Sequence, residues 1–302
     1  MQNVDIAMAT YNGERFIAEQ LLSIQKQTYP YWTLYISDDA STDNTIKIIK
    51  DFASTDSRIK LINTERQGGV VNNFNKALLA TDAEYVLLSD QDDYWPEQRV
   101  VDLLNFIMHK PQDKVAMAFS DLTLVNESLK VISESFYKSR AIEPTKNSDC
   151  SDLIWQCSVY GCSVIMNRKL LDKCLPVPQG ITMHDNWLAL NAATESGLFF
   201  YDRQTILYRQ HDNNVIGGSG KTLAEKIKYL PKTFIKIIKY RKKITKLIVE
   251  AKKVKGNESL SSLGNSWLSD IIFAFRHISP AIFFGSRRGY ALFMFIAFLV
   301  AR

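Results

Sequence analysis

At 302 residues, with 46% hydrophobic and 23% charged side chains, the chain is long enough for one large domain with an appendage or for two modest domains, and too apolar for a disordered one. Its formal charge of +5 is unevenly spread: from Lys221 to Lys255 thirteen Lys or Arg face only Glu225 and Glu250, a local +11, so the remainder sums to −6. Cys150, Cys157, Cys162 and Cys174 form no CxxC pair and have no histidine at zinc spacing, which excludes a metal finger and reads as reduced thiols.

Met1 to Asn12 runs straight into a strand pattern, with no room for a secretory leader. Val4 to Thr10 reads as a buried strand ending in the turn signal Thr10-Tyr11-Asn12-Gly13. Glu14 to Gln27 carries Phe16, Ile17, Leu21, Leu22 and Ile24 at helical spacing. Thr33 to Ser37 is a second strand, running into Asp38-Asp39-Ala40-Ser41. Ser41-Thr42-Asp43-Asn44 then opens a helix bearing Ile46, Ile48, Ile49 and Phe52. Ile59 to Asn63 is a third strand, followed by Gly68-Gly69 and a helix from Val71 to Ala80. Tyr85 to Ser89 is a fourth, apolar enough to be buried on both faces. It leads directly into Asp90-Gln91-Asp92-Asp93, and Pro96 stands where a first helical position is expected. This alternation is the pattern of βαβ units around a parallel sheet.

The acids after Ser89 thus fall at the carboxyl end of a central strand, where open α/β sheets bind ligands. Three carboxylates in four positions repel one another unless a cation holds them, and hard oxygen ligands suit Mg²⁺ or Mn²⁺. Such an ion would in turn hold a diphosphate. The plainer alternative is a solvated acidic loop capping the next helix. No Gly-x-Gly-x-x-Gly follows the first strand, which argues against a dinucleotide fold.

Further on, Val115 to Val125 and Val159 to Met166 read as strands. The irregular polar segment between them, Asn126 to Asp152, is long enough to be expected as an acceptor lid or mobile surface segment. Trp155, Gln156, Tyr160 and Gly161-Cys162-Ser163 either line a cleft or belong to the core. Met183-His184-Asp185-Asn186-Trp187 begins a helix whose carboxylate either takes a proton or caps the helix. Tyr201 to Gln210 is an edge strand leading to His211, Asp212-Asn213-Asn214 and Gly217-Gly218. Arg209 is suited to pair with phosphate oxygens, and His211 to join two carboxylates around a metal.

From Lys226 to Val254, apolar residues recur at steps of three and four with lysines opposite, a basic amphipathic helix restarted at Pro231. It reads as a helix on an anionic membrane surface, or as one packed on the catalytic body with a solvated face. No nucleic-acid motif accompanies the charge. Trp267 to Phe275, Ile278 to Phe284 and Tyr290 to Ala301 are apolar pieces broken by Pro280 and Arg287-Arg288-Gly289. Each is shorter than the roughly 20 residues a spanning helix needs. They are expected to embed in one leaflet, holding the protein peripherally on the cytoplasmic face of the cell membrane, or to form a homo-oligomer interface.

Ala9-Thr10-Tyr11-Asn12, Ser37-Asp38-Asp39-Ala40-Ser41-Thr42-Asp43, Gly68-Gly69-Val70 and Ser89-Asp90-Gln91-Asp92-Asp93 occur in an order and spacing far more specific than any one of them. On these stretches, residues 3 to about 215 resemble a family 2 glycosyltransferase with the nucleotide-diphospho-sugar (GT-A) fold. Asp-Gln-Asp-Asp-Tyr-Trp, with the segments around Asp185 and His211, is similar to bacterial rhamnosyltransferases of that family.

The resemblance implies an α/β fold with a mostly parallel central sheet flanked by helices and a helical basic appendage. The catalytic domain would span 1–220, a nucleotide half to about 110 and an acceptor half beyond it, and the appendage 221–302. It implies metal-dependent inverting transfer, with Mn²⁺ or Mg²⁺, of L-rhamnose from dTDP-rhamnose to a lipid-linked polysaccharide acceptor. Asp39 would hydrogen-bond the base, with Thr10, Tyr11 and Asn12 lining base and ribose. Asp90 and Asp92, flanking Gln91, would carry ribose and metal, with His211 as a third ligand and Arg209 at the diphosphate. Asn75 falls on a nucleotide-facing helix, beside Phe74 where Arg is more usual. Asp185 would be the base, preceded by His184 where an acid is usual, and Trp155, His184 and Trp187 would meet the acceptor. The alternatives are another UDP- or dTDP-sugar, nucleotidyl transfer to a sugar phosphate, or a non-catalytic scaffold at the membrane surface.

Overall fold

The computed structural model describes residues 2–145, 149–211, 230–255, 257, 260, 261, 263–285 and 287–300. Its centre is β1 (Val4–Thr10), flanked in parallel by β2 (Trp32–Asp38) and by β4 (Tyr85–Ser89). A strand covered on both faces shows no polar alternation, and every residue of β1 and β4 is buried. The one acid in β1 is satisfied by backbone: Asp5 accepts the N–H groups of Asp82 at 2.8 Å and Ala83 at 2.9 Å. β3 (Ile59–Asn63) lies outside β2.

On the other side β7 (Val164–Asn167) runs antiparallel to β4, and β5 (Met117–Val125) antiparallel to β7. β5 also carries β6 (Val131–Ser133) antiparallel and β8 (Leu198–Arg209) parallel. The result is one mixed, mostly parallel sheet of eight strands with the carboxyl ends of β1, β2 and β4 at one edge. Crossovers are α1 (Ile17–Gln25), α2 (Thr45–Thr55), α3 (Val70–Leu79) and α4 (Arg99–Met108), whose periodic apolar faces (Leu21, Ile49, Phe74, Leu103 among them) enter the core.

Three boundaries differ from expectation for physical reasons. α4 begins at Arg99, because Pro96 closes a turn ahead of it: its carbonyl accepts Arg99 N at 3.0 Å and Gln27 Nε2 at 2.9 Å. The strand expected over 159–166 is only Val164–Asn167, since Gly161–Ser163 forms a 3₁₀ turn. The segment after β5 is not irregular throughout. It folds into β6, α5 (Phe136–Ser139) and the start of α6 (Cys150–Trp155), with Phe136 and Tyr137 buried and Tyr137 Oη donating to Ser158 O at 2.7 Å.

After α7 (Arg168–Cys174) and α8 (His184–Ala193) comes α9 (Leu230–Lys252), with Pro231 as its second residue; the residues ahead of the expected restart lie outside the described ones. Residues 212–229, with Asp212-Asn213-Asn214, Gly217-Gly218 and the expected boundary at 220, lie outside the described residues. α9 buries Ile244, Leu247, Ile248 and Ala251, and packs on α6, α8 and α12 (Arg288–Val300). Between 244 and 251, the stripe read as membrane-facing is therefore packed on the protein itself. Exposed apolar surface lies elsewhere, on α10 (Trp267–Phe273), which continues through a π turn at Ala274–Ile278 into α11 (Ser279–Phe284). Trp267, Leu268, Ile272, Phe275, Phe283 and Phe284 all face outward. Among the described residues, no helix is long and apolar enough to cross a membrane.

A buried ion pair, Arg241–Asp270, ties α9 to α10, both side chains 1% exposed, with the guanidinium 4.3 Å over the Phe298 ring. Removing one partner leaves an uncompensated interior charge, whereas replacing both removes the desolvation cost as well. Asp270→Leu is expected to cost about 3–5 kcal/mol in urea denaturation, and Arg241→Met with Asp270→Leu to recover most of it. Equal losses would show that packing, not charge, holds these helices.

Candidate functional site

The end of β2 is wired to the end of β1. Asp38 Oδ2 accepts from Thr10 Oγ1 at 2.6 Å and from Ser41 Oγ at 2.7 Å. This draws the two loops together through left-handed backbone at Asn12 (φ 47°) and Ala40 (φ 62°), uncommon for residues with a Cβ. Asn12 N donates to Ser41 Oγ at 2.8 Å, and Thr42 N to Asn12 Oδ1 at 2.9 Å. Asp39 turns away and accepts the N–H groups of Gln67, of Gly68 at 2.9 Å and of Gly69 at 2.8 Å. At φ +85° and +123°, Gly68 and Gly69 are the residues able to wrap backbone around that carboxylate. Asp39 thus shapes the loop that opens α3.

Gln91 bolts the loop after β4 to the one after β1. Its Oε1 accepts Tyr11 N at 2.8 Å and its Nε2 donates to Tyr11 O at 3.0 Å. A Cβ at Gly13 would displace that amide and break its bonds to Tyr11, so the glycine leaves room for Gln91. The Tyr11 ring is left exposed beside this junction.

The acids flanking Gln91 gather inward. Asp93 is fully buried; its Oδ1 accepts Arg209 N at 3.3 Å, while its Oδ2 has no hydrogen-bond partner. Asp92 Oδ2 meets His211 Nε2 at 2.8 Å, and the Phe16 ring lies 5.0 Å from that imidazole. Burial, then the charges of Asp92 and Asp185, push Asp90 up to about 7. Burial, then Asp92 and Asp90, hold Asp93 well above the usual carboxylate range. Uncompensated interior anions are costly, and a divalent cation relieves that cost. Carboxylate oxygens with one imidazole suit Mg²⁺ or Mn²⁺, so the donor set fits the ion. Among the described residues, the three ligand atoms lying within 4.8 Å of one another are those of Asp90, Asp93 and Cys162, rather than the expected Asp90, Asp92 and His211. Burial and the neighbouring carboxylates push the Cys162 thiol up, so it keeps its proton and is a poor ligand for a hard cation.

Asp185 reaches the same place from α8. The helix is capped at Met183 without a side-chain bond, and the Asp185 carboxylate instead points out to the 3₁₀ turn. Its Oδ2 accepts Gly161 N at 3.0 Å and its Oδ1 accepts Asn186 N at 2.7 Å. Gly161 precedes Cys162, whose sulfur lies within 4.8 Å of Asp90 and Asp93 carboxylate oxygens, so Asp185 and the acids after β4 meet at the same turn. The Gly161 amide carries no side-chain signal in the sequence; what marks the position is the glycine, since a Cβ there would lie 3.1 Å from His184 Nε2. His184 is buried, both ring nitrogens unpartnered, and stacks on Phe74 with centroids 4.0 Å apart. Burial lowers its basicity, so the ring is neutral. The two departures from the expected pattern, Phe74 for Arg and His184 for an acid, are in contact with each other.

Four expected site residues sit differently. Arg209 is 1% exposed: Nε donates to Asp92 O at 2.9 Å, Nη1 to Glu127 O, and Nη2 pairs with Glu19 at 2.7 Å. It braces the acidic loop from below instead of presenting its donors to a diphosphate. Trp187 is core, its Nε1 donating to Cys174 O at 3.0 Å, and Trp155 is buried against Tyr290 of α12. Both indoles are almost wholly buried. Asn75 Oδ1 accepts Val177 N at 2.9 Å and so ties α3 to the loop after α7. A cleft of about 640 Å³ lined by Lys173, Pro176, Trp187, Glu195, Glu250 and Lys253 holds none of the strand-end acids.

The model of a family described as glycosyl transferase family 2 matches residues 5–174. The chain is 28% identical over 281 residues to the dTDP-rhamnosyl transferase RfbG of Shigella flexneri, covering 88% of this chain and 91% of that protein. It is also 28% identical over 170 residues to the UDP-Glc:alpha-D-GlcNAc-diphosphoundecaprenol beta-1,3-glucosyltransferase WfgD of Escherichia coli, covering 56% and 62%. Among solved structures, S. aureus TarS 1–349 in complex with UDP-GlcNAc superposes with a TM-score of 0.63 at 19% identity, covering 96% of this chain and 75% of that one.

Proposed function

The chain belongs to glycosyl transferase family 2 and is a glycosyltransferase of GT-A fold, and from that premise we propose that it is an inverting, metal-dependent enzyme moving L-rhamnose from dTDP-rhamnose to a lipid-linked saccharide in surface polysaccharide synthesis. The observation that carries this reading is that Asp185, on an acceptor-side helix, holds the Gly161 N–H next to Cys162, whose sulfur lies with the Asp90 and Asp93 oxygens at the end of β4. The likeness to RfbG supports the donor, and the diphosphoundecaprenol in the name of WfgD supports a lipid-linked acceptor.

In this reading the exposed Tyr11 ring and the loops at Asn12 and Asp39 receive the nucleoside. Asp90 and Asp92, the latter paired with His211, hold the cation, which when bound offsets charge on the departing diphosphate. Arg209 is a positioning residue: through Asp92 O it fixes the acidic loop. The Gly161 N–H keeps one oxygen of Asp185 in place. The acceptor oxygen attacks the anomeric carbon, its proton passes to Asp185, and the bond to the nucleotide diphosphate breaks on the opposite face. Peripheral attachment at the cytoplasmic leaflet is ascribed to the outward-facing aromatics of α10 and α11.

A thermal-shift panel of dTDP- and UDP-sugars with and without Mn²⁺ tests the donor. A ligand that binds only the folded state at 100 times its Kd adds about 2.7 kcal/mol. The dTDP-rhamnose shift is expected to be largest and to require the metal. A larger shift with a UDP-sugar would reassign the donor, and no shift with any sugar nucleotide would sink the reading.

A further inference from the structure

On the acceptor side of Asp185, two arginines stand without anionic partners among the described residues. The chain from α6 to the Gly161 turn passes through Tyr160, whose ring packs edge-on against Phe136 with centroids 4.6 Å apart. The Arg140 guanidinium lies 5.8 Å from the Phe136 ring centre. From the appendage, Arg287 lies 4.7 Å over the Tyr290 ring, and Tyr290 Oη donates to Trp155 O at 2.8 Å, at the head of the same chain segment. Tyr160 is followed by Gly161, whose N–H donates to Asp185 Oδ2 at 3.0 Å, so the Arg140–Phe136–Tyr160 stack and the Arg287–Tyr290–Trp155 contacts bracket the stretch of chain that reaches Asp185. Among the described residues, neither guanidinium has a carboxylate at ion-pair distance. Arg287 is half-buried over the Tyr290 ring, which leaves its N–H donors available to a phosphate.

Immediately before Arg287 the chain turns apolar. Phe283 and Phe284 at the end of α11 are 66% and 89% exposed, far beyond what a solvated helix end requires. An arginine three residues after a bare aromatic pair matches a molecule that is phosphate at one end and hydrocarbon at the other. We propose that Arg140 and Arg287 bind the phosphate groups of the acceptor's lipid carrier, with Phe283 and Phe284 against its hydrocarbon chain, leaving the saccharide to reach Asp185. This rests on the reading of the acceptor as lipid-linked. It gives the appendage a part in acceptor binding, because Arg287 belongs to it and Arg140 to the catalytic half.

The test uses the full chain saturated with dTDP, so that the donor's own diphosphate site is filled. Farnesyl diphosphate, farnesol and inorganic diphosphate are titrated by calorimetry against the wild type, R140A/R287A, R287K and F283S/F284S. Farnesyl diphosphate is expected to bind the wild type at least tenfold more tightly than farnesol or inorganic diphosphate does. R140A/R287A should abolish the advantage over farnesol, R287K should keep most of it, and F283S/F284S should abolish the advantage over inorganic diphosphate. Equal farnesyl diphosphate affinity in wild type and R140A/R287A overturns the proposal. Inorganic diphosphate binding as tightly as the prenyl compound overturns its hydrocarbon half. Thermal shift with the sugar nucleotide is read on each variant: its retention shows that the fold and donor site persist. Its absence in the wild type would count against the donor reading, separately from the carrier result.

Discussion

Asp185→Asn is expected to lower the rate of sugar transfer by roughly 10²- to 10⁴-fold, the usual contribution of a positioned general base, while leaving sugar-nucleotide binding unchanged. The substitution preserves shape, and an amide oxygen at Oδ2 still accepts the Gly161 N–H now made at 3.0 Å. What disappears is the capacity to take a proton. The loss should fall on kcat, with the donor KM within about twofold, because an interaction used only in the transition state moves kcat and kcat/KM together. Near-normal turnover would place the base elsewhere. A variant that failed to bind donor would show that the carboxylate builds the site instead of acting in it. Asp185 is on the second position of α8 and bonds Asn186 N, so urea denaturation on the same sample separates these outcomes.

What the sequence displays well is what depends on runs and short spacings. β1 and β4 have the bounds expected of them, because a strand buried on both faces is a nearly continuous apolar run; β3, partly exposed at the sheet's end, keeps its expected bounds as well. The acids after β2 and β4 follow at once from those strands, so their location at one sheet edge was readable too. Orientation was not. Trp155 and Trp187 are equally apolar whether they line a cleft or fill a core, and only the packing of α7 and α12 decides for the core. Ile244, Leu247 and Ile248 would look the same against lipid as against α8. Arg209 has the chemistry of a phosphate ligand, but Glu19 comes from the far end of the catalytic half to claim its guanidinium. The stacking of His184 on Phe74 joins residues that no local pattern relates, and it turns two separate irregularities into one packing solution.

Asp92→Ala is expected to abolish the Mn²⁺-dependent part of sugar-nucleotide stabilisation and to weaken donor binding at least about tenfold, the loss of a charge-assisted ligand being worth more than a neutral hydrogen bond. The same substitution carries a pH signature. Asp90, near 7, and Asp93, held well above the usual carboxylate range, keep protons that the unfolded chain releases near pH 4. Where the folded state binds more protons than the unfolded, stability falls as pH rises. The metal-free wild type should therefore lose thermal stability between about pH 5 and pH 8. Saturating Mn²⁺ should lessen that loss, since a divalent cation relieves the same crowding of charge that the protons do. Asp92 is the second cause of the shift at each of the other two acids, so its removal should flatten the metal-free profile as well as silence the metal. A variant with the wild-type pH slope and an undiminished Mn²⁺ response would mean that the cation is held elsewhere, and that the crowding of acids after β4 serves packing alone.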